Sequence, residues 1–242
     1  MGLLDFLKSS PSTDAIANQV RKAKEHYAQP DYRRMAMDKL LKWDTDESIK
    51  GLLERFTVVV QSPHWDEEEK CWLVNEVVTK GERMVPILRD FIFEKNEVNH
   101  AIIALKKLVT DQESYSKLLT EALAKRSPSD HRSVQSKREI IGAITDLNNR
   151  NLDALLVPYL EDHSDDVQSL TIEALAKSQD PSITKKLPEL LSSEVHSARV
   201  LRMAAKVVTE QKIPIEPGLE LAEVVAEEYA VKNGYLVRLN QD

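Results

Sequence analysis

The chain has 242 residues, 42% of them hydrophobic and 30% charged, which reads as a globular protein long enough to bury a real core. Its formal net charge of −7 argues against a non-specific nucleic-acid binder, because neutralising phosphates demands clustered Lys and Arg. Six glycines are few for a Rossmann layout or a β-sandwich, and the single cysteine, Cys71, excludes an internal disulfide framework and a multi-cysteine zinc site.

Residues 1–11 form a short apolar segment, MGLLDFL, and a Ser/Pro linker. Leu3, Leu4 and Leu7 share one helical face, expected to cap the first helices that follow; partner docking is the next choice. Membrane attachment comes last, since Lys8 is the lone cation on the polar side. Phe6 stands where a myristoylation signal wants Ser or Thr, and the start has neither a basic region nor a cleavable apolar core. No apolar run approaches the ~18 residues of a membrane span, so a cytoplasmic protein is expected.

Residues 12–242 read as one domain of successive helices. The pattern pairs 12–28 with 31–42, 48–60 with 66–79, 82–95 with 98–109, 112–125 with 131–147, 151–162 with 166–178, and 182–192 with 197–209, and a last helix at 218–231 closes the set. Ser62-Pro63, Ser127-Pro128 and Asp180-Pro181 each offer a capping oxygen before a proline suited to the first helical position. Asp66 to Glu69 place negative charge at a helix N-terminus, where the macrodipole favours it.

A unit repeats within this run. Val157-Pro158-Tyr159-Leu160 returns as Leu187-Pro188-Glu189-Leu190, and Val85-Pro86-Ile87-Leu88 is a further copy. Each of the first two is followed by a polar turn and a second helix carrying Ala174-Leu175 or Ala204-Ala205. Self-similarity at this period marks a stacked array, because one helical hairpin cannot bury its apolar face alone. Proline at equivalent helical places predicts a repeated bend.

These residues resemble the HEAT-repeat family in its short, phycobilisome-lyase-like form. Pro158, Asp162 and Val167 match its unit, and Pro188 with Arg199 matches in part. Gln168 departs from it, standing where the family often has an arginine that pairs with a turn aspartate. The resemblance implies an all-α, right-handed α-solenoid of about six hairpins plus a C-terminal capping helix, with second helices lining a concave surface. It implies no activity, since such folds carry function in grafted sites.

The candidate partner-binding residues are Arg132, Arg138, Arg199, Arg202 and Lys206. Arg199, Arg202 and Lys206 form one stripe opposite Val200, Ala204 and Val207; with Lys137 and Lys177 the last three second helices hold seven cations against four acids. An acidic peptide or phosphate docking there is the functional reading. Internal pairing with Glu220, Glu223 and Glu227 on the last helix is the plainer one.

Other constellations point to no chemistry. Trp43, Trp65 and Trp72 are expected to fill the core between repeats. The histidines are scattered without the convergence a metal needs, and Glu161 to Asp166 lacks the spacing of a calcium loop. Cys71 lies in an apolar run and reads as a small buried hydrophobe. Neither a phosphate-binding loop nor a nucleophile elbow is present.

A non-catalytic scaffold or adaptor for a protein partner, without cofactor or metal, is therefore the leading expectation. The alternatives share only the architecture: an alkylpurine-type DNA glycosylase, which needs aromatic and basic groups in one cleft, or a bilin lyase or chaperone. Here the tryptophans and the basic stripe fall in different thirds of the chain.

Overall fold

The structure, a computed structural model, describes residues 11–147 and 153–239. They are predominantly helical, as the spacing predicts. Contacts gather the chain into two compact units, Met1–Tyr115 and Ser116–Asp242. The apolar segment at 1–8 lies outside the described residues.

In the first unit, α1 (Thr13–Ala23) packs on α2 (Pro30–Trp43), and both contact α3 (Asp46–Leu53). Ser12 caps α1 by accepting from the Ala15 amide at 3.2 Å, and Thr45 and Ser48 form a reciprocal capping box on α3. α1 and α3 approach closely at Gly51, where a Cβ would lie 2.6 Å from Val20 Cγ2. Pro63 opens α4 (Pro63–Thr79) after Ser62, although the Ser62 hydroxyl makes no capping bond. α6 (Asn99–Leu108) packs on both α4 and α5 (Met84–Glu94). Met37, Leu40, Leu52, Leu73 and Leu88 are fully buried, each contributing about 1.5–3 kcal/mol.

Beneath the start of α4 lies a buried charge network. Arg33 Nη2 and Glu69 Oε1 are 2.7 Å apart, Arg55 Nη2 and Asp66 Oδ1 2.7 Å, Arg55 Nη2 and Glu69 Oε2 3.0 Å, and Lys70 Nζ and Asp66 Oδ2 2.7 Å. Asp66 and Glu69 are thus paired inside the unit, whereas their spacing suggested only helix-dipole charges. Burial alone would raise the Asp66 pKa; hydrogen bonds from Lys70, Arg55 and the Val60 amide outweigh it and hold the carboxyl below its ordinary value.

The tryptophans depart from expectation. Trp65 is exposed and Trp43 and Trp72 are half-buried. The Arg34 guanidinium stacks 3.3 Å from the Trp72 ring centroid, while Trp72 Nε1 donates to Glu76 Oε1 at 2.9 Å. Trp72 thus has one face covered by a cation and its polar edge satisfied by a carboxylate. Cys71 is also exposed. Two residues along a helix turn a side chain about 200°, so with Leu73 in the core Cys71 faces outward.

α7 (Gln112–Ala124) leads in sequence into the second unit. Ser127-Pro128 does not open a helix there. The carbonyls of Ser127, Pro128 and Asp130 instead converge on Lys137 Nζ at 3.3, 3.3 and 3.1 Å, and a 3-10 turn at His131–Ser133 precedes α8 (Val134–Thr145). Lys137 Nζ also reaches Asp162 Oδ2, and both side chains are fully buried. An ammonium without water must be surrounded by oxygens, and it orders this turn.

Near each proline the helical tract passes through a tightened turn while the backbone stays right-handed helical. Pro86 follows a 3-10 turn at Gly81–Arg83; Pro158 lies in the 3-10 segment Val157–Glu161 after α9 (Asp153–Leu156); Pro188 lies in α12 (Lys186–Leu190) just after α11 (Pro181–Thr184). Proline's missing N–H and its clash with the preceding turn account for the change of helical pitch there. α10 (Asp165–Leu175) remains intact and packs against both α8 and α13 (Ala198–Glu210).

The expected closing helix at 218–231 is overturned. Only one turn forms, α14 (Glu223–Ala226), followed by a hairpin of β1 (Tyr229–Lys232) and β2 (Tyr235–Arg238). Asn233 and Gly234 carry φ of 52° and 78°, the left-handed pair that a two-residue hairpin turn requires. Tyr229 and Leu236 are buried, and β2 packs against α13.

Candidate partner-binding face

The basic residues singled out in the sequence occupy α8, α13 and the turn before α8. Their side chains are exposed: 45% for Arg138, 64% for Arg199, 49% for Arg202 and 63% for Lys206. Arg138 and Arg199 meet at Asp166 on α10. Arg199 Nη2 is 2.7 Å from Oδ1 and Arg138 Nη1 3.7 Å from Oδ2, so one carboxylate is shared by two guanidinium groups. The hydrogen bond from Arg199, together with the charges of Arg199 and Arg138, holds the Asp166 carboxyl below its ordinary value.

Arg202 Nε pairs with Glu228 Oε1 at 2.7 Å, and Arg238 on β2 approaches the other oxygen at 3.7 Å. Lys206 lies 3.9 Å from Glu210 on its own helix. Arg132 stands apart: it turns back on Asp130 at 3.3 Å and joins no cluster. Lys137 is sequestered with Asp162 and contributes nothing to the surface, so the basic tally shrinks by one cation.

Internal pairing occurs, but with partners other than those the spacing indicates. Asp166 and Glu228 take the arginines, whereas Glu220, Glu223 and Glu227 line an open depression of ≈ 640 Å³ beside His196 and Leu201. The regular spacing of those three glutamates has no helix to act on, because α14 is a single turn. Glu228 and Arg238 were missed in the sequence because both depend on the hairpin; Asn233-Gly234 between alternating apolar residues was the available signal.

Gln168, the departure from the family pattern, donates through Nε2 to the Asp162 carbonyl. The Asp162 carboxylate meets Lys137 instead.

No family model matches the chain, and neither the curated proteins nor the solved structures include a match. Among the described residues no helix is long and apolar enough to cross a membrane.

Proposed function

We propose that the protein is a non-catalytic scaffold of the HEAT-repeat type, an α-solenoid of right-handed twist that binds an acidic segment of a protein partner. The repeat reading is supported by a buried triplet at i, i+3 and i+7. It recurs as Arg33-Ala36-Leu40, Lys70-Leu73-Val77, Val98-Ala101-Leu105, Lys137-Ile140-Ile144, Gln168-Thr171-Leu175 and Leu201-Ala204-Val208. A unit spaced in this way is what an array of hairpins needs in order to bury one continuous core.

The observation that carries the binding reading is the exposed cluster Arg138, Arg199, Arg202 and Lys206, whose ion-pair partners among the described residues are the acids Asp166, Glu228 and Glu210. Exposed pairs of this kind contribute about 0–1 kcal/mol, so a carboxylate-rich partner can replace them at little cost. Arg199 directs one donor at Asp166, and a guanidinium has five. The face therefore retains directional donors for carboxylates in a chain that is otherwise acidic.

The test is affinity purification from the native host, wild type beside the double variant Arg199→Glu/Arg202→Glu, with mass spectrometry of the eluates. Loss of a partner in the variant alone, with helical circular dichroism and melting temperature preserved, supports the reading. Equal capture by both chains, or an empty eluate from both, rejects it. Steeply salt-dependent DNA binding by the wild type would turn attention to the glycosylase alternative.

A further inference from the structure

His100 is a half-buried imidazole on α6 whose ring faces two polar side chains of α4. It stands outside the buried triplet of its helix, with its ring stacked on Phe56 (centroids 5.5 Å apart, planes at 19°) and its side chain only 11% exposed. Its Nε2 is buried and meets only Glu67 Oε2 among the described residues, at 3.5 Å, too long for a well-formed hydrogen bond. Buried polar atoms without a good hydrogen bond are uncommon in native proteins and call for a cause.

That nitrogen is aimed at two side chains of α4. It lies 3.5 Å from Glu67 Oε2, and Glu67 Oε1 accepts from Cys71 Sγ at 3.2 Å. Glu67 and Cys71 are one helical turn apart on the outward side of α4, and the packing of α6 on α4 brings His100 to them. One nitrogen, one sulfur and one oxygen thus lie within 4.8 Å of one another. Zinc–ligand bonds of about 2.0–2.3 Å place the corners of a tetrahedral site about 3.3–3.7 Å apart. Cys71 Sγ and His100 Nε2 approach the two Glu67 oxygens at 3.2 and 3.5 Å, so small side-chain rotations bring one oxygen, the sulfur and the nitrogen to that spacing.

The geometry points to a divalent transition-metal site formed by Glu67, Cys71 and His100, suited to an ion of borderline softness such as zinc. The ion takes the Nε2 lone pair, a carboxylate oxygen and the Cys71 sulfur. As the metal–sulfur bond forms, the Sγ–H bond breaks heterolytically and its proton passes to solvent, so no oxidant or reductant is required. Sulfur with imidazole selects against magnesium and calcium. Because Glu67 and Cys71 are exposed, the fourth position faces water, an open arrangement rather than a closed structural one. The neighbouring cations are engaged elsewhere, Lys70 by Asp66 at 2.7 Å and Lys107 by Asn75 at 3.0 Å. The site belongs to the first unit and does not depend on the basic face of the second.

The test titrates the reduced full-length chain with Co²⁺ and then with Zn²⁺. A saturable near-ultraviolet thiolate-to-cobalt band with visible tetrahedral bands, bleached by Zn²⁺, is expected. Cys71→Ser should abolish the near-ultraviolet band. Glu67→Gln and His100→Ala should each weaken Co²⁺ binding about 10-fold or more, a loss that changes outside the ligand shell already produce. Should His100→Ala lose helical circular dichroism, His100→Gln, which keeps a polar side chain in the same pocket, makes the comparison. Absence of the thiolate band at saturating Co²⁺, or unchanged Zn²⁺ affinity in Cys71→Ser, overturns the assignment.

Discussion

Lys137 Nζ lies 2.5 Å from Asp162 Oδ2 with neither side chain exposed, so each charge is the other's principal compensation. Removing one partner of such a pair strands the second in a medium that solvates it poorly. Lys137→Met is therefore expected to destabilise the second unit by about 3–5 kcal/mol in urea denaturation. Lys137→Met/Asp162→Asn, which removes both charges, should recover much of that loss, and a double variant no better than the single would show that packing, not charge, dominates.

The buried network around Asp66 predicts a pH dependence. Its folded-state pKa lies below the ordinary carboxyl value of 3.8, so the unfolded chain binds the proton more readily. The stabilisation is present above that ordinary value and is lost as pH falls through the lower, folded one. Urea midpoints measured from about pH 5 down to about pH 3 should drop steeply in the wild type. Asp66→Asn should be less stable at neutral pH and show a shallower acid slope; an unchanged slope would remove Asp66 from the account.

Two helical glycines should respond in opposite directions to alanine. At Gly142 a new Cβ meets nothing within 4 Å, so Gly142→Ala should stabilise by about 0.5–1 kcal/mol through helix propensity. At Gly51 it would lie 2.6 Å from Val20 Cγ2, on a β-branched side chain with little rotameric freedom in a helix. Gly51→Ala should cost about 1–3 kcal/mol despite the better propensity. Thermal melts of both variants check the contrast, and a shared sign would refute it.

The hairpin turn constrains its residue types through its left-handed backbone. Gly234 has a φ of 78°, where a β-branched side chain is strained. Gly234→Val should destabilise by about 1–3 kcal/mol, whereas Asn233→Gly should change little. Equal melting temperatures for the two variants would mean that the hairpin contributes little to the unit.

On the basic face, Arg199→Ala should shift stability by no more than about 1 kcal/mol, because its pair with Asp166 is solvent-exposed. A larger loss in denaturant melts would make the cluster a folding element rather than a docking face.

The helices were legible wherever apolar spacing alone decides them. α2, α6, α7 and α13 fall within one or two residues of the ranges read from periodicity. Expectation failed where a local signal competed with the spacing. The tract 218–231 has helical glutamate spacing, yet Asn233-Gly234 and the β-formers around it win the C-terminal half. The burial of Asp66, Glu69 and Lys137 was not legible, because in sequence these residues look like any solvated charges and only tertiary packing encloses them. His100 and Cys71 likewise lie on separate helices, and nothing in their separation along the chain announces that they meet.

The hairpin also sets where the helical packing of the second unit ends. α13 offers Val200, Ala204 and Val208 inward, while β2 packs against the same helix through buried Leu236. An additional helical hairpin docking on that side would first have to displace the strand. The strands are only four residues long, and Lys232 and Arg238 stand at their ends, which makes them poor templates for pairing with another chain. The hairpin thus covers one side of α13 while presenting only a short, charged edge to any other chain.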